Sequence, residues 1–373
     1  MSTSEVEQLT ARIAEVASHA LRDATTMPPD VYTSESLLAL ELQRIFAAEW
    51  ICVGRVEEIS DSGDYFTIDV AGEPLIVVRS GGQVRVFPNV CRHKWGRLAE
   101  GSGNVGRIVC PYHAWTYSLD GELIRTRYMD GAEGFCPADH NLPEVRSAVW
   151  AGFIYVNLDD AAPPLEQCRA ELQGRIGNYH MEDMRRICGA EEIWSTNWKL
   201  LVENFTDFYH VFHTHRDTID RYTPTEMIDL QDGGAGYSFG TARVIKDAMP
   251  ESPFEPHHPD LDASQREAFA MIGVFPAQML ALAPDRVFYM CLEPLGVDKV
   301  RTKWGVACYD HDIDAETANG IEALYQQLNG EDRPRVEGIQ KGVRSRFAGQ
   351  GRLSAYENMN WEFTRYLSRR LSG

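Results

Sequence analysis

The spacing of apolar residues changes near Tyr65 and separates a helical start of the chain from a β-rich module. Residues 5 to 25 and 34 to 50 carry apolar positions at helical spacing, which predicts two helices. From Tyr65 to Val70 apolar and polar residues alternate, and glycine-containing turns separate the short apolar runs that follow. This pattern predicts a small unit of antiparallel strands and hairpins.

The second half of the chain contains both helical and strand patterns of apolar residues. Helical patterns cover residues 165 to 179, 198 to 213 and 315 to 347, and strand patterns cover residues 286 to 292 and 300 to 308. The stretch from 217 to 270 is rich in Asp, Gly, Pro and His, which predicts a long irregular segment with at most one short helix at 264 to 272.

The predicted fold class is α+β, with a small antiparallel β domain and a larger domain in which helices cover an antiparallel sheet. Pro163-Pro164 interrupts the chain between the two. We expect an N-terminal helical segment at 1–45 that packs on the larger domain, the small β domain at 46–160 and the larger domain at 161–373.

Charge and hydrophobicity exclude several classes of protein. The 373 residues include 55 acidic and 36 basic ones, a net charge of -19, and this argues against nucleic acid as a partner. No segment approaches the ~18 uninterrupted apolar residues of a membrane helix, so we expect no membrane association. The first residues lack a basic and then apolar signal, so we expect a cytoplasmic protein.

Two pairs of metal-binding residues lie between the predicted strands. Cys91 and His93 are followed, after sixteen residues, by Cys110 and His113. This is the spacing of a Rieske [2Fe–2S] cluster, in which two thiolates hold one iron and two imidazoles hold the other. A Cys2His2 zinc site has the same four ligands, but in zinc fingers the Cys pair and the His pair are usually separate.

A second cluster of potential ligands lies between Asp207 and His215. On a helix, Asp207, His210 and His213 would share one face, because they are one turn apart. Two histidines and one carboxylate are typical of non-haem Fe(II) oxygenases. Spacing alone leaves open which histidines bind the metal. His210 could bind it with His213, or with His215 if the helix loosens before its end. All three could also be surface histidines.

These motifs resemble the catalytic α subunits of Rieske non-haem iron oxygenases. The resemblance covers nearly the whole chain and includes Gly63-Asp64-Tyr65, Trp150 to Leu158, Asn197-Trp198-Lys199 and Glu203-Asn204. It implies that His210 and His215 bind a mononuclear iron and that His213 is a neighbour. It also implies that Asp207 carries electrons from the cluster of one subunit to the iron of the next, and therefore a homotrimer.

The third iron ligand implied by the resemblance is Asp332. The sequence from Glu331 to Gln340 resembles relatives that oxidise N-methylated or quaternary ammonium compounds. We expect Pro334 in the first turn of a helix, so Asp332 could instead be only its N-cap. The chain departs from many relatives at Lys94-Trp95-Gly96, beside the first histidine of the cluster motif.

The resemblance implies a monooxygenase that hydroxylates or demethylates a small organic substrate with dioxygen. No Gly-x-Gly-x-x-Gly element follows a strand, so we expect a separate NAD(P)H-dependent flavin or ferredoxin reductase to supply electrons. The alternatives are an arene cis-dihydroxylating dioxygenase and a Rieske electron carrier. Candidate pocket walls, most of them expected to be plain core, are Phe205, Phe212, Phe275, Met279, Phe288 and Met290.

Overall fold

Four antiparallel sheets, divided between two units, form the framework of the chain. The structure is a computed structural model that describes residues 3–245 and 255–372. Residues 46–165 form one unit, and residues 1–45 together with 166–373 form the other. The predicted α+β class is confirmed, since antiparallel strands build both units and long helices accompany the larger sheet.

The smaller unit consists of short strands in three sheets. Their orders are β1-β10-β9, β4-β3-β2-β5 and β6-β7-β8. The alternation from Tyr65 onward produces β2 and β3, and Asp120-Gly121 forms the predicted turn between β7 and β8. The strands are β1 Ile51–Arg55, β2 Asp64–Val70, β3 Glu73–Ser80, β4 Gln83–Pro88, β5 Ser102–Asn104, β6 Ile108–Val109, β7 Thr116–Tyr117, β8 Leu123–Arg125, β9 Arg146–Trp150 and β10 Phe153–Asn157.

The larger unit is built on one seven-stranded antiparallel sheet with the order β11-β17-β16-β15-β14-β13-β12. Its central strands are buried at consecutive positions, which is the pattern of a sheet that is covered on both faces. The strands are β11 Arg185–Trp194, β12 Ile228–Gly234, β13 Tyr237–Arg243, β14 Ala268–Val274, β15 Gln278–Leu282, β16 Arg286–Gly296 and β17 Lys299–Cys308.

Helices of the larger unit pack on this sheet and on each other. Helix α6 lies against β11 and α4, and α7 lies against β13, β12 and α1. None of the helices in the described residues is both long and apolar enough to cross a membrane. The helices are α1 Thr3–Ser18, α2 Glu35–Glu41, α3 Leu165–Ile176, α4 Trp198–Phe205, α5 Val211–Thr214, α6 Ala315–Gly342 and α7 Asn358–Leu371.

A buried ion pair fixes the N-terminal segment to α4. Lys199 Nζ lies 2.7 Å from Glu41 Oε1, and both side chains are almost completely buried. The indole of Trp198 donates a second hydrogen bond to Glu41, at 2.8 Å. The Asn197 side chain caps α4 by accepting a hydrogen bond from the Lys199 amide. The Asn197-Trp198-Lys199 motif therefore sets the start of the helix that leads to the candidate metal site.

Several predicted element boundaries are wrong. The first helix ends at Ser18 rather than at 25, and the second passes into a π-helical turn, Leu42–Phe46. Strands β12, β13 and the start of β14 occupy part of the segment predicted to be irregular, and a single 3₁₀ turn at Gln265–Glu267 followed by β14 lies where a short helix at 264 to 272 was expected. Residues 246–254 of the segment lie outside the described residues. Strand β12 is a polar, glycine-containing edge strand, so its sequence lacks the apolar signal of a strand, and pairing with β13 forms it instead.

Candidate cluster and metal sites

Two loops of the smaller unit present the four residues of the cluster motif, and the loops have the same backbone design. The amide of Trp95 donates to the Cys91 carbonyl at 3.1 Å, and the amide of Ala114 donates to the Cys110 carbonyl at 3.0 Å. Trp95 and Ala114, each four residues after a cysteine, have positive φ values of 57° and 56°. Each reversal closes its own loop on the cysteine that starts it.

The side chains of the motif divide into a buried sulfur side and a more accessible imidazole side. Cys91 and Cys110 lie in one core cluster, where burial raises the pKa of the Cys91 thiol. The imidazole rings of His93 and His113 lie 4.7 Å apart between centroids, in an edge-on arrangement. The Nδ1 atom of His93 is buried and has no hydrogen-bond partner among the described residues. Buried thiols and an unpartnered imidazole nitrogen fit metal ligation.

Aromatic side chains hold the motif in place. The His93 ring stacks on Trp115, with centroids 4.7 Å apart and planes 10° from parallel. The Tyr117 hydroxyl lies 3.4 Å from Cys91 Sγ and accepts a hydrogen bond from the Arg92 amide at 3.1 Å. It can therefore donate to the sulfur once that sulfur is a thiolate. Trp95, in the Lys94-Trp95-Gly96 stretch that differs from many relatives, is 82% exposed.

The histidine-rich segment is not one continuous helix. Helix α4 ends at Phe205, and only a single turn, α5, forms at Val211–Thr214. The prediction of a helix from 198 to 213 is therefore wrong. The turn at Thr206 and the hydrogen bond from the Phe208 amide to the Tyr356 carbonyl redirect the chain. Asp207 and His210 consequently do not share a helix face.

The chain after this break brings His210, His215 and Asp332 together. One potential ligand atom from each lies within 4.8 Å of the others. Asp332 Oδ1 lies 3.0 Å from His215 Nε2 and 3.4 Å from His210 Nε2. That oxygen nevertheless has no aligned hydrogen bond among the described residues. Three potential ligand atoms that lie this close together without an aligned hydrogen bond to the Asp332 oxygen fit a cation bound by all three. His213 is exposed and is not part of this group.

Asp332 lies in the interior of α6, as the helical pattern predicted at 315 to 347 indicates. The helix begins at Ala315, where Asp314 is the N-cap, and it continues through Pro334. The expectation that Pro334 stands in a first turn is wrong, and so is the alternative that Asp332 is a cap. Asp332 instead projects from the middle of a 28-residue helix.

Glu331 orients His215, a role that its place in the sequence did not reveal. Its Oε2 atom lies 2.7 Å from His215 Nδ1 and accepts a 2.8 Å hydrogen bond from the Thr218 hydroxyl. A carboxylate on Nδ1 leaves Nε2 free to bind a metal. Burial opposes ionisation of Glu331, but these hydrogen bonds lower its pKa. The adjacent acidic pair Glu331-Asp332 was the signal available in the sequence.

The carboxylates and imidazoles of the site shift the pKa values of one another. Burial disfavours the charged imidazole, but the neighbouring Asp207 and Asp332 carboxylates raise the pKa of His210 to about 10. Burial also opposes ionisation of Asp332, but the two histidines lower its pKa to about 2. Asp207 Oδ2 lies 3.5 Å from His210 Nδ1, and its Oδ1 accepts a hydrogen bond from the Tyr209 amide. Asp207 thus lies beside the group, on the far side of His210 from Asp332.

An apolar cavity of about 220 Å³ opens onto this group. Of the predicted wall residues, Phe205, Phe288 and Met290 line it. Phe275 and Met279 are buried elsewhere in the core, and Phe212 is exposed. The Tyr325 ring stacks on Phe288 at 4.8 Å. Other lining residues, which the sequence analysis did not name, include Trp194, Phe208, Tyr222, Phe269, Met271 and Asn329.

Family models match both units. Residues 49–139 match the Rieske [2Fe-2S] domain. Residues 172–373 match the ring hydroxylating alpha subunit (catalytic domain), which is more than half of the chain. The Rieske match favours an iron–sulfur cluster over zinc at the cysteine–histidine motif.

Relatives with curated names and solved structures agree with these matches. The chain is 28% identical over 341 residues to the carnitine monooxygenase oxygenase subunit of Escherichia coli K12, covering 90% of this chain and 88% of that protein. A crystal structure of the quaternary ammonium Rieske monooxygenase CntA matches with a TM-score of 0.84 at 24% identity, over 96% of this chain and 98% of that one. Naphthalene 1,2-dioxygenase from Rhodococcus sp. matches with a TM-score of 0.82 at 21% identity, over 99% and 98%. These two likenesses show the fold.

Proposed function

Because the chain belongs to the ring-hydroxylating α subunits, and so is a Rieske non-haem iron oxygenase, we propose that it is a monooxygenase of a small organic substrate. Enzymes of this family use a [2Fe–2S] cluster, a mononuclear iron and dioxygen. The observation that carries the proposal is the convergence of His210, His215 and Asp332 at the wall of an apolar cavity. In this arrangement the substrate would lie directly beside the metal ligands.

We propose that Cys91, Cys110, His93 and His113 hold the cluster and that His210, His215 and Asp332 hold the iron. When bound, the two groups supply single electrons and activate dioxygen. The residues of the chain position the ligands of these groups. Glu331 holds His215 in the tautomer that binds metal, and Tyr117 donates a hydrogen bond to the Cys91 sulfur. The apolar walls keep water away from the reacting carbon.

The proposed reaction inserts one oxygen atom into a C–H bond. A methyl group, dioxygen, two electrons and two protons give a hydroxymethyl group and water. If that carbon is bonded to nitrogen or oxygen, the product releases formaldehyde and leaves a demethylated amine or alcohol. The likeness to the carnitine monooxygenase oxygenase subunit, over 90% of this chain, supports monooxygenation. Arene dihydroxylation is the second candidate, because a naphthalene dioxygenase has the same fold.

Reconstitution with a ferredoxin reductase and NADH tests the reaction. Candidate methyl amines, methyl ethers and arenes are screened by dioxygen uptake, and products formed under ¹⁸O₂ are analysed by mass spectrometry. One labelled oxygen per product, or formaldehyde in equal amount, is the expected result. Two labelled oxygens on an arene would establish the dioxygenase instead. The His210→Ala variant, with its cluster intact, is the matched control and should not turn over.

Electron transfer between subunits is the second part of the proposal. Asp207, beside His210, would receive electrons from the cluster of a neighbouring subunit in a homotrimer, with the reductase as the external donor. Co-expression of Cys91→Ser chains with His210→Ala chains tests this. Each parent lacks one centre, so only transfer between subunits restores activity in mixed oligomers. Inactive mixed oligomers, or a monomer in light scattering of active enzyme, would contradict the proposal.

A further inference from the structure

Asn329 lines the apolar cavity and carries a buried amide nitrogen that has no hydrogen-bond partner among the described residues. It lies on α6 three residues before Asp332, which places it about 4.5 Å along the helix axis on the same face. Its side chain is only 8% exposed and lines the cavity. Its Nδ2 atom has no hydrogen-bond partner among the residues that the structure describes. Buried amides normally have partners, since an unmade hydrogen bond there costs free energy.

The surroundings of Asn329 explain why its amide is unusual. Tyr325 and Leu328 flank it on the cavity side of α6, and Phe269 and Met271 line the cavity as well. Of these four side chains only Tyr325 carries an oxygen, and the Asn329 Nδ2 atom makes no hydrogen bond with it. An amide kept in such a wall is positioned for a group that enters the cavity.

Two threonine side chains of the cavity are already engaged in hydrogen bonds. The Thr218 hydroxyl donates to Glu331, and the Thr223 hydroxyl lies 3.2 Å from the Ile219 carbonyl. Asp207 and Asp332 contribute carboxylates to the same lining. Burying an anionic group of the substrate in this apolar cavity would cost free energy, whereas a neutral oxygen needs only the hydrogen bond that Asn329 offers.

We infer that Asn329 binds the polar group of the substrate, and that this substrate is a largely apolar molecule with a neutral oxygen close to the carbon that is oxidised. The inference rests on the proposed function, because it takes the cavity as the place where oxidation occurs. Asn329 and Asp332 lie about one helical turn apart on the same face of α6, so an oxygen bound by Asn329 would lie close to the metal ligands. Asn329 is thus a residue that determines specificity.

Three ligands of nearly equal shape test this in the holoenzyme without turnover. Acetophenone has a neutral carbonyl oxygen, α-methylstyrene replaces that oxygen by a methylene group, and benzoate carries a charge. Anaerobic calorimetry should show acetophenone binding about three- to tenfold more tightly than α-methylstyrene, since one neutral hydrogen bond is lost. Benzoate should bind most weakly. Equal affinities, a preference for benzoate, or no binding by acetophenone would each overturn the inference.

Two matched variants assign the effect to Asn329. Asn329→Leu should remove the difference between acetophenone and α-methylstyrene, while Asn319→Leu, the same exchange at an exposed position of α6, should preserve it. Circular dichroism and the cluster absorbance check folding, and the ligand series in the unaltered protein stands even if Asn329→Leu does not fold. If the ligands bind as expected but no substrate supports dioxygen uptake, the proposed reaction is refuted and the role of Asn329 in binding stands. If Asn329→Leu leaves turnover and substrate preference unchanged, the role of Asn329 is refuted and the proposed reaction stands.

Discussion

The cluster loops and the candidate iron site both bring potential metal ligands together, but the ligands come from neighbouring residues in the first and from distant parts of the chain in the second. In the smaller unit, Cys91 and Cys110 each start a loop whose own backbone hydrogen bonds complete the turn. In the larger unit, His210 and His215 follow a helix break, and Asp332 comes from the middle of a helix more than a hundred residues later. The first arrangement is local, while the second depends on the whole unit.

This difference determines what each site tolerates. A local loop keeps its geometry as long as its own turns and neighbouring rings are intact. The iron site also requires α6 to hold its place against α4 and β11, and the N-terminal segment to hold α4. We therefore expect distant substitutions to affect the iron site more than the cluster, and direct substitutions to affect each site separately.

The largest expected effect is the separate loss of each centre. Asp332→Ala should lower the iron content from about three atoms per chain to two, abolish turnover and leave the cluster spectrum unchanged. Cys91→Ser should remove the cluster spectrum and leave the mononuclear iron. Metal analysis, electron paramagnetic resonance and dioxygen uptake report these changes. Loss of both centres in either variant would show that the two sites are not independent.

The next largest effect concerns the buried pair of Glu41 and Lys199. Lys199→Met leaves the Glu41 carboxylate buried without its cation, so the larger unit should lose about 3–5 kcal/mol of stability. Hydrogen exchange measured by mass spectrometry should show faster exchange in residues 1–45 and 198–205 and unchanged exchange in the cluster loops.

Matched variants separate the effect of charge from that of surface change. Lys341→Met replaces an exposed lysine on α6 and should have no measurable effect on exchange. The double variant Lys199→Met/Glu41→Gln should recover part of the lost stability, since the unpaired charge is gone. Equal loosening of both units in Lys199→Met would contradict the contrast between a local and a distributed site.

A smaller effect is expected at Glu331. Glu331→Gln keeps the size of the side chain but weakens its hold on His215 Nδ1, so iron affinity or turnover should fall about 10- to 100-fold. Glu322→Gln, one of the other carboxylates on α6, is the control and should be neutral. Iron retention during dialysis against a chelator measures the loss. Unchanged iron retention in Glu331→Gln would show that Glu331 does not help His215 to bind the iron.

The same contrast explains how much the sequence could predict. The cluster motif and the strands around it follow from local spacing, because Cys91 to His113 lie between hairpins with clear alternation. The spacing of the histidines, by contrast, predicted a continuous helix, and the break at Thr206 depends on contacts with residues such as Tyr356. Asp332 was identified only through a resemblance, because no local pattern shows which turn of a long helix faces a distant loop.

The smallest expected effect lies in the local site and concerns the Tyr117 hydroxyl. Tyr117→Phe removes the hydrogen bond to Cys91 Sγ, which stabilises the more negative, reduced cluster. The midpoint potential should therefore fall by about 20–60 mV, equivalent to 0.5–1.5 kcal/mol for one electron. Redox titration of the cluster absorbance measures this shift, with Tyr112→Phe, an exposed ring next to His113, as the control. Because the loops are local, iron content and hydrogen exchange in the larger unit should not change; a change there would mean that the cluster loops, too, depend on the whole fold.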